Sequence, residues 1–237
     1  MHEVFLDELK KLNTRFMNMV IDVSEEIDDS TQAFIDHDKK AAQKLIKDDK
    51  DISADALKVE KRTLKLMALQ QPVASDFRNV IAILKATTDL ERIGENAMSI
   101  SAETIRVKGN KRIEATEKII TEMSQKVTFM LDQVLKAFIQ NDETLARQVA
   151  KKDDEIDQLY VKARHSIIDG VKADNTAAIA AASYFIVIRL LERIGDHVVN
   201  LAQWVVYKVS GELIDLNEDE SVEDELDLDT NNSKDKN

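Results

Sequence analysis

Leu90-Glu91-Arg92-Ile93-Gly94 is followed by Glu95, and 101 residues later Leu191-Glu192-Arg193-Ile194-Gly195 is followed by Asp196. A pentapeptide repeated at that distance, each time with an acid behind it, marks a tandem duplication. Upstream of each copy stands a second acidic pair at i, i+4 spacing, Asp51 with Asp55 and Asp153 with Asp157, at an offset of 102. The organisation this predicts is one repeat over residues 1–109, a second over 110–212, and an acidic tail over 213–237. Units of roughly 100 residues are an ordinary domain size.

Working outward from the repeat, the chain reads as helix almost throughout. Five Gly, one Pro and 43% apolar residues, the latter at helical rather than alternating spacing, point to an all-α protein with short connections. A first helix spans about His2 to Ile35. Asp38 is a candidate N-cap for a second that reaches Gln70, and Gln71-Pro72 breaks the chain before a third, which Gly109-Asn110 ends. The second repeat predicts helices over Lys111–Ile139, Asp142–Ile168 and Thr176–Val209, with Gly170 and Gly211 as stops. Long helices joined by short turns pack as antiparallel neighbours. The expected fold is therefore six long antiparallel helices forming two tandem, sequence-related three-helix bundles.

Composition excludes several functions. With no Cys there is no disulfide, thiolate metal site or cysteine nucleophile. The first eleven residues lack the apolar core of a signal peptide, which makes a cytoplasmic location the default expectation. The uncharged run from Asn175 to Ile188 is shorter than the roughly 20 residues that span a bilayer. A net charge of −12 argues against nucleic acid or an anionic membrane as a direct partner. Much of that charge lies after residue 217, where nine acids face only Lys234 and Lys236; such a composition reads as disordered and solvating.

The carboxylates carry the chemistry. Phe77, Leu84, Glu91, Met98 and Ile105 recur every seven residues, as do Ala178, Phe185, Glu192, Val199 and Val206, so each third helix places one acid in an otherwise apolar row. Two acids one helical turn apart repel, and a carboxylate removed from water needs a partner or a cation. If the middle helix lies beside the third, Asp51 and Asp55 approach Glu91 and Glu95, and Asp153 and Asp157 approach Glu192 and Asp196. All-oxygen clusters of this kind suit Mg²⁺, Mn²⁺ or iron. Gly94 and Gly195, each costing a helix about 1 kcal/mol, would admit a close neighbour. The competing reading is ordinary helix-surface pairing: Arg92 with Glu95, Arg189 with Glu192, Arg193 with Asp196 and Lys58 with Asp55 all have i, i+3 spacing. His197 reads as a hydrogen-bonded neighbour of Asp196 more than as a ligand, and Trp204 as a core or interface residue.

Gln70-Gln71-Pro72-Val73-Ala74-Ser75-Asp76-Phe77-Arg78, the two Leu-Glu-Arg-Ile-Gly-acid elements and Val206-Tyr207-Lys208-Val209-Ser210-Gly211-Glu212 together resemble the PhoU family of phosphate-specific transport regulators. The resemblance covers residues 1–212. It implies a cytoplasmic, non-enzymatic regulator, with a homodimer as the usual assembly. It further implies a multinuclear metal cluster, of iron, zinc, manganese or magnesium, held by Asp51, Asp55, Glu91, Glu95, Asp153, Asp157, Glu192 and Asp196. The partners it implies are a phosphate-sensing histidine kinase and the ATPase subunit of a phosphate ABC transporter, so that membrane contact is indirect. Glu95, Asn96 and Ser99 depart from the pattern that the second repeat keeps, which makes the first cluster the looser one.

Four alternatives stand beside this reading. A carboxylate-bridged oxidase needs Glu-x-x-His on two helices, and the residues three before His37, His165 and His197 are Phe34, Lys162 and Ile194. A phosphotransfer module would use His165 or His197, and a metal-free scaffold or a PhoU-like paralogue serving another carrier would use neither. No Gly-rich phosphate loop or catalytic triad motif is present, so no catalytic residue is assigned.

Overall fold

The computed structural model describes residues 2–47, 52–107 and 111–216. They form α1 (His2–Ile35), α2 (Lys39–Lys47), α3 (Ile52–Gln70), α4 (Ala74–Arg106), α5 (Glu114–Gln140), α6 (Glu143–Ala150), α7 (Asp153–Ala173) and α8 (Ala178–Ser210), with a 3₁₀ turn at Asn175–Ala177. The fold is all-α, as the spacing predicts. The middle rod of each repeat is described as two segments, α2 with α3 and α6 with α7. Asp51, the Gly109-Asn110 stop and the tail beyond Leu216 lie outside the described residues.

Local chemistry sets several boundaries. Asp38 Oδ1 accepts from the N–H groups of Lys40 and Ala41, each at 2.9 Å, and Asp142 Oδ1 accepts from Leu145 N–H at 2.9 Å. These are N-cap bonds that satisfy otherwise orphaned donors. Gly211 ends α8 at φ 83°, where a side chain is disfavoured. Gly170 is a correction: α7 runs past it to Ala173 and ends at Asp174, whose side chain accepts from Thr176 N–H. Gly170 is used for close approach instead, since a Cβ there would lie 2.7 Å from Ile113 Cγ2.

Four long helices build the centre. α1 packs on α4 and α5, and α8 packs on the same two, with α4 against α8 the most extensive contact in the molecule. α4 and α8 run in opposite directions, since Glu103 meets Ser183 (2.7 Å) near one end and Arg78 lies against Gly211 at the other. α2 and α3 flank the α1–α4 side; α6 and α7 flank the α5–α8 side. Leu90, Ile93, Leu191 and Ile194 of the repeated pentapeptide are all fully buried. The duplicated sequence is therefore the stretch that packs inward in both repeats.

The row of sevens on α4 needs correction. Phe77 is 41% exposed, and Leu84, Glu91, Met98 and Ile105 are half-buried, while Ile83, Ala86, Leu90, Ile93 and Ala97 form the buried face. Glu91 thus stands at the shoulder of α4. On α8 the row descends into the core at Val199 and Val206 but is open at Phe185.

Candidate metal centre and the seam between the repeats

In the second repeat the sequence folds a carboxylate onto a glycine. Asp153 opens α7, and its Oδ1 sits 2.4 Å from where a Cβ on Gly195 would stand, with Ile156 Cγ2 at 3.5 Å. A side chain at position 195 would displace that carboxylate. Glu192 and Asp196 stand three residues before and one after Gly195 on α8. Asp153 Oδ1 and Glu192 Oε2 are both shielded from solvent. Arg189 pairs with Glu192 Oε1, and Asp157 follows one turn along α7, half-buried.

The first repeat is built differently. A Cβ on Gly94 would meet Ile52 Cδ1 at 2.9 Å and Glu26 Oε2 at 3.5 Å, so an isoleucine methyl and an acid from α1 occupy the seat. Glu26 is only 8% exposed; it sits among the acids Asp22, Glu25, Asp28 and Asp29, and nothing in that run singles it out. Asp55, one turn along α3 from Ile52, is paired with Lys58 at 2.7 Å and its side chain is 47% exposed. Glu95 pairs with Arg92 at 2.6 Å and is exposed. The i, i+3 pairings therefore form at Asp55, Glu95 and Glu192.

The middle helices also correct the register of the repeat. Ile52 faces Gly94 as Ile156 faces Gly195, an offset of 104, not 102. At 104, the buried Ile52, Val59 and Thr63 fall on the buried Ile156, Ala163 and Ile167. At 102 they fall on Asp154, Val161 and His165, all exposed. Asp157 thus corresponds to Ser53, and Asp55 is not its equivalent. Among the described residues, no group of three or more His, Asp or Glu side chains is gathered tightly enough to hold a metal ion. The donor set that fits one best by its chemistry is the second-repeat set around Gly195, because it brings carboxylates from two helices together with oxygens out of water.

Between the repeats lies a polar cluster that the sequence reading missed. Asp89 of α4 accepts from Asn200 Nδ2 (3.2 Å) and Trp204 Nε1 (3.1 Å) of α8, and pairs with His197 Nδ1 at 3.1 Å. The side chains of Asp89 and His197 are 16% and 19% exposed. His197, Asn200 and Trp204 are spaced by three and four along one stripe, and three donors in a row on a packed helix call for an acceptor. That spacing was the available signal. Asp89→Ala is expected to cost about 1–3 kcal/mol by leaving these donors unsatisfied. Trp204 is the lone tryptophan, so a denaturation curve followed by its emission measures both the loss and the changed surroundings; an unchanged spectrum and midpoint would contradict the assignment.

At the end of the bundle where α4 leads into α5, Glu117 ties four segments. It accepts from Arg112 Nε (3.0 and 3.1 Å) and from Tyr184 OH (2.5 Å), and pairs with His37 Nε2 at 3.2 Å. Arg112 also donates to Ile35 O. Burial pushes the Glu117 carboxyl up, but the hydrogen bonds from Arg112 and Tyr184 outweigh it and hold the group below the ordinary glutamate value. The same burial and the Glu117 charge push the Tyr184 phenol well up.

The PhoU domain family model matches this chain twice, over residues 16–104 and 120–205. The chain belongs to the PhoU family. Its two repeats are thus two PhoU domains. Among its relatives is a phosphate-specific transport system accessory protein PhoU homolog of Clostridium acetobutylicum, 30% identical over 217 residues that cover 91% of this chain and 99% of that one. The homolog of the same name from Streptococcus pneumoniae is 32% identical over 210 residues, covering 89% and 97%. The crystal structure of PhoU from Streptococcus pneumoniae superposes with a TM-score of 0.82 at 31% identity, covering 89% of this chain and 99% of that one. PhoU from Pseudomonas aeruginosa gives 0.80 at 30%, covering 88% and 100%. No helix among the described residues is long and apolar enough to cross a membrane.

Proposed function

We propose that this PhoU-family chain is a cytoplasmic accessory regulator of phosphate-specific transport, restraining uptake and phosphate-starvation signalling when phosphate is plentiful. The observation that carries the reading is the double PhoU match together with near full-length overlap on proteins named for that system. Regulation here is contact, not catalysis: helix faces engage a sensor histidine kinase and the ATPase subunit of the transporter. The family match supports a non-enzymatic accessory role.

A multinuclear metal cluster is part of this proposal. Asp153, Asp157, Glu192 and Asp196 would hold it, and the bound ions would supply positive charge that ties α7 to α8 and stiffens the face offered to a partner. Gly195 keeps the α7 terminus close, Arg189 holds one oxygen of Glu192, and Ile156 shuts the seat from below. In the first repeat Asp55 and Glu95 are tied to Lys58 and Arg92, so Asp55, Glu91 and Glu95 would make the weaker site, with Asp51 outside the described residues.

Deleting the gene is expected to raise phosphate uptake and starvation-reporter expression in phosphate-rich medium. Uptake and reporter activity equal to those of the parent strain would instead assign the chain to another carrier or to stress signalling.

A further inference from the structure

Leu57, Lys61, Leu64 and Ala68 of α3 are spaced by four, three and four, the intervals at which one helix meets another along a coiled-coil seam. All four are exposed, Leu57 by 48% and Leu64 by 54%, while Val59, Thr63 and Leu66 on the other side of α3 are buried against the bundle. Three turns of helix thus present leucine to the outside, and exposed apolar side chains continue along the chain at Leu69 and Val73.

Both repeats show this pattern. In the register where Ile52 answers to Ile156, Leu57 and Leu64 fall on Val161 and Ile168 of α7, which are 40% and 39% exposed. An apolar row facing outward at the same two places in each repeat marks an interaction surface more than scattered exposed residues do. The charges around it differ. On α3 the seam contains Lys61 and is bounded by Lys58 and Lys65, where α7 carries His165, Lys162 and Asp169. Lys58 pairs with Asp55. Neither Lys61 nor Lys65 has an acid three or four residues away, and the two stand one turn apart, where like charges repel. An acidic chain therefore gathers positive charge around exposed leucines on one helix.

Charge selects the occupant. A second copy of α3, laid in either direction, would set lysines against lysines. An anionic bilayer would have to accept a chain of net charge −12. A helix with apolar residues at its own seam and acids beside them meets only the stripe, and complements both the leucines and the lysines.

We propose that the outer face of α3 is the docking site for an acidic, amphipathic helix of a partner protein, laid along Leu57, Lys61, Leu64 and Ala68. The site rests on the reading of the chain as a regulator that acts by contact, and it gives that contact a chemistry. The probe is a fluorescently labelled synthetic peptide of about three heptads with Leu at the seam and Glu on both flanks, whose mutual repulsion keeps it from pairing with itself. It is titrated with the full-length chain and read by anisotropy, with chelator present so that the carboxylate site plays no part. Wild type is expected to bind it, and Lys61→Glu/Lys65→Glu to bind about ten-fold more weakly. Leu57→Ala/Leu64→Ala should lose a similar factor, and salt should weaken the wild-type complex. A second peptide with Lys on its flanks should prefer the Lys61→Glu/Lys65→Glu chain, a reversal that damage to the fold would not produce. Val161→Ala/Ile168→Ala should bind the acidic peptide as wild type does. The proposal is overturned if wild type does not bind, if it binds both peptides equally, or if the loss follows the α7 variant. Self-association or anionic-vesicle binding that the leucine variant abolishes would overturn it too. None of these readouts uses the deletion phenotype, so failure here is distinguishable from failure of the transport reading.

Discussion

Replacing Glu117 by alanine is expected to lower stability by about 3–5 kcal/mol, a larger loss than that of Asp89→Ala. The side chain is 7% exposed and serves Arg112, Tyr184 and His37 together. Its removal leaves a guanidinium and a buried phenol, itself edge-on to Phe34 at 5.4 Å, without their shared acceptor. The measurement is thermal unfolding, with a fall in Tm of about 10 °C or more. A pH series supplies the sign. The folded carboxyl sits below its ordinary value of 4.5, so its stabilisation is complete above that pH and is lost as the pH falls through the folded value. Glu117→Gln should blunt this acid limb while keeping part of the stability at neutral pH. An alanine variant within about 0.5 kcal/mol of wild type would show the cluster to be incidental.

Gly195→Ala is expected to have its large effect on metal affinity, not on folding. Alanine gains about 1 kcal/mol of helix propensity over glycine, which offsets much of the strain. The new Cβ would nevertheless stand 2.4 Å from Asp153 Oδ1, and the flexible carboxylate has to swing out. On the proposed metal reading Asp153 helps to hold the ion, so displacing it is expected to weaken ion binding by about ten-fold or more, as read by metal titration alongside a melting curve. Gly94→Ala is the control. Its Cβ would meet Ile52 methyls first, so it perturbs packing and leaves the second-repeat site unchanged.

The contrast between the two glycines shows where sequence was legible. Helix limits at Asp38, Asp142, Pro72 and Gly211 were readable because each rests on a local bond or a local steric rule. The all-α class and the duplication were readable for the same kind of reason, since periodicity and identity sit in the chain itself. The register of the middle helices was not. Asp51/Asp55 and Asp153/Asp157 look alike chemically, yet a slip of two residues turns a helix by about 200° and exchanges the buried face for the exposed one. Only the neighbours of Gly94 and Gly195 reveal that Ile52 answers to Ile156. Asp89 and Glu117 stayed hidden because their partners come from other parts of the chain: Tyr184 lies 67 residues from Glu117, and Trp204 lies 115 from Asp89.

The central proposal is that the carboxylates of α7 and α8 beside Gly195 close on positive ions when these are supplied. Elemental analysis decides it most directly: strip the purified chain with chelator, refill with iron, manganese, zinc or magnesium in turn, desalt, and count ions per chain beside Asp153→Asn/Asp196→Asn. The account predicts that wild type retains at least one of these metals and that the double variant, still folded, loses it. A wild-type chain that emerges ion-free from every refill, or a double variant that holds as much as wild type, would contradict it.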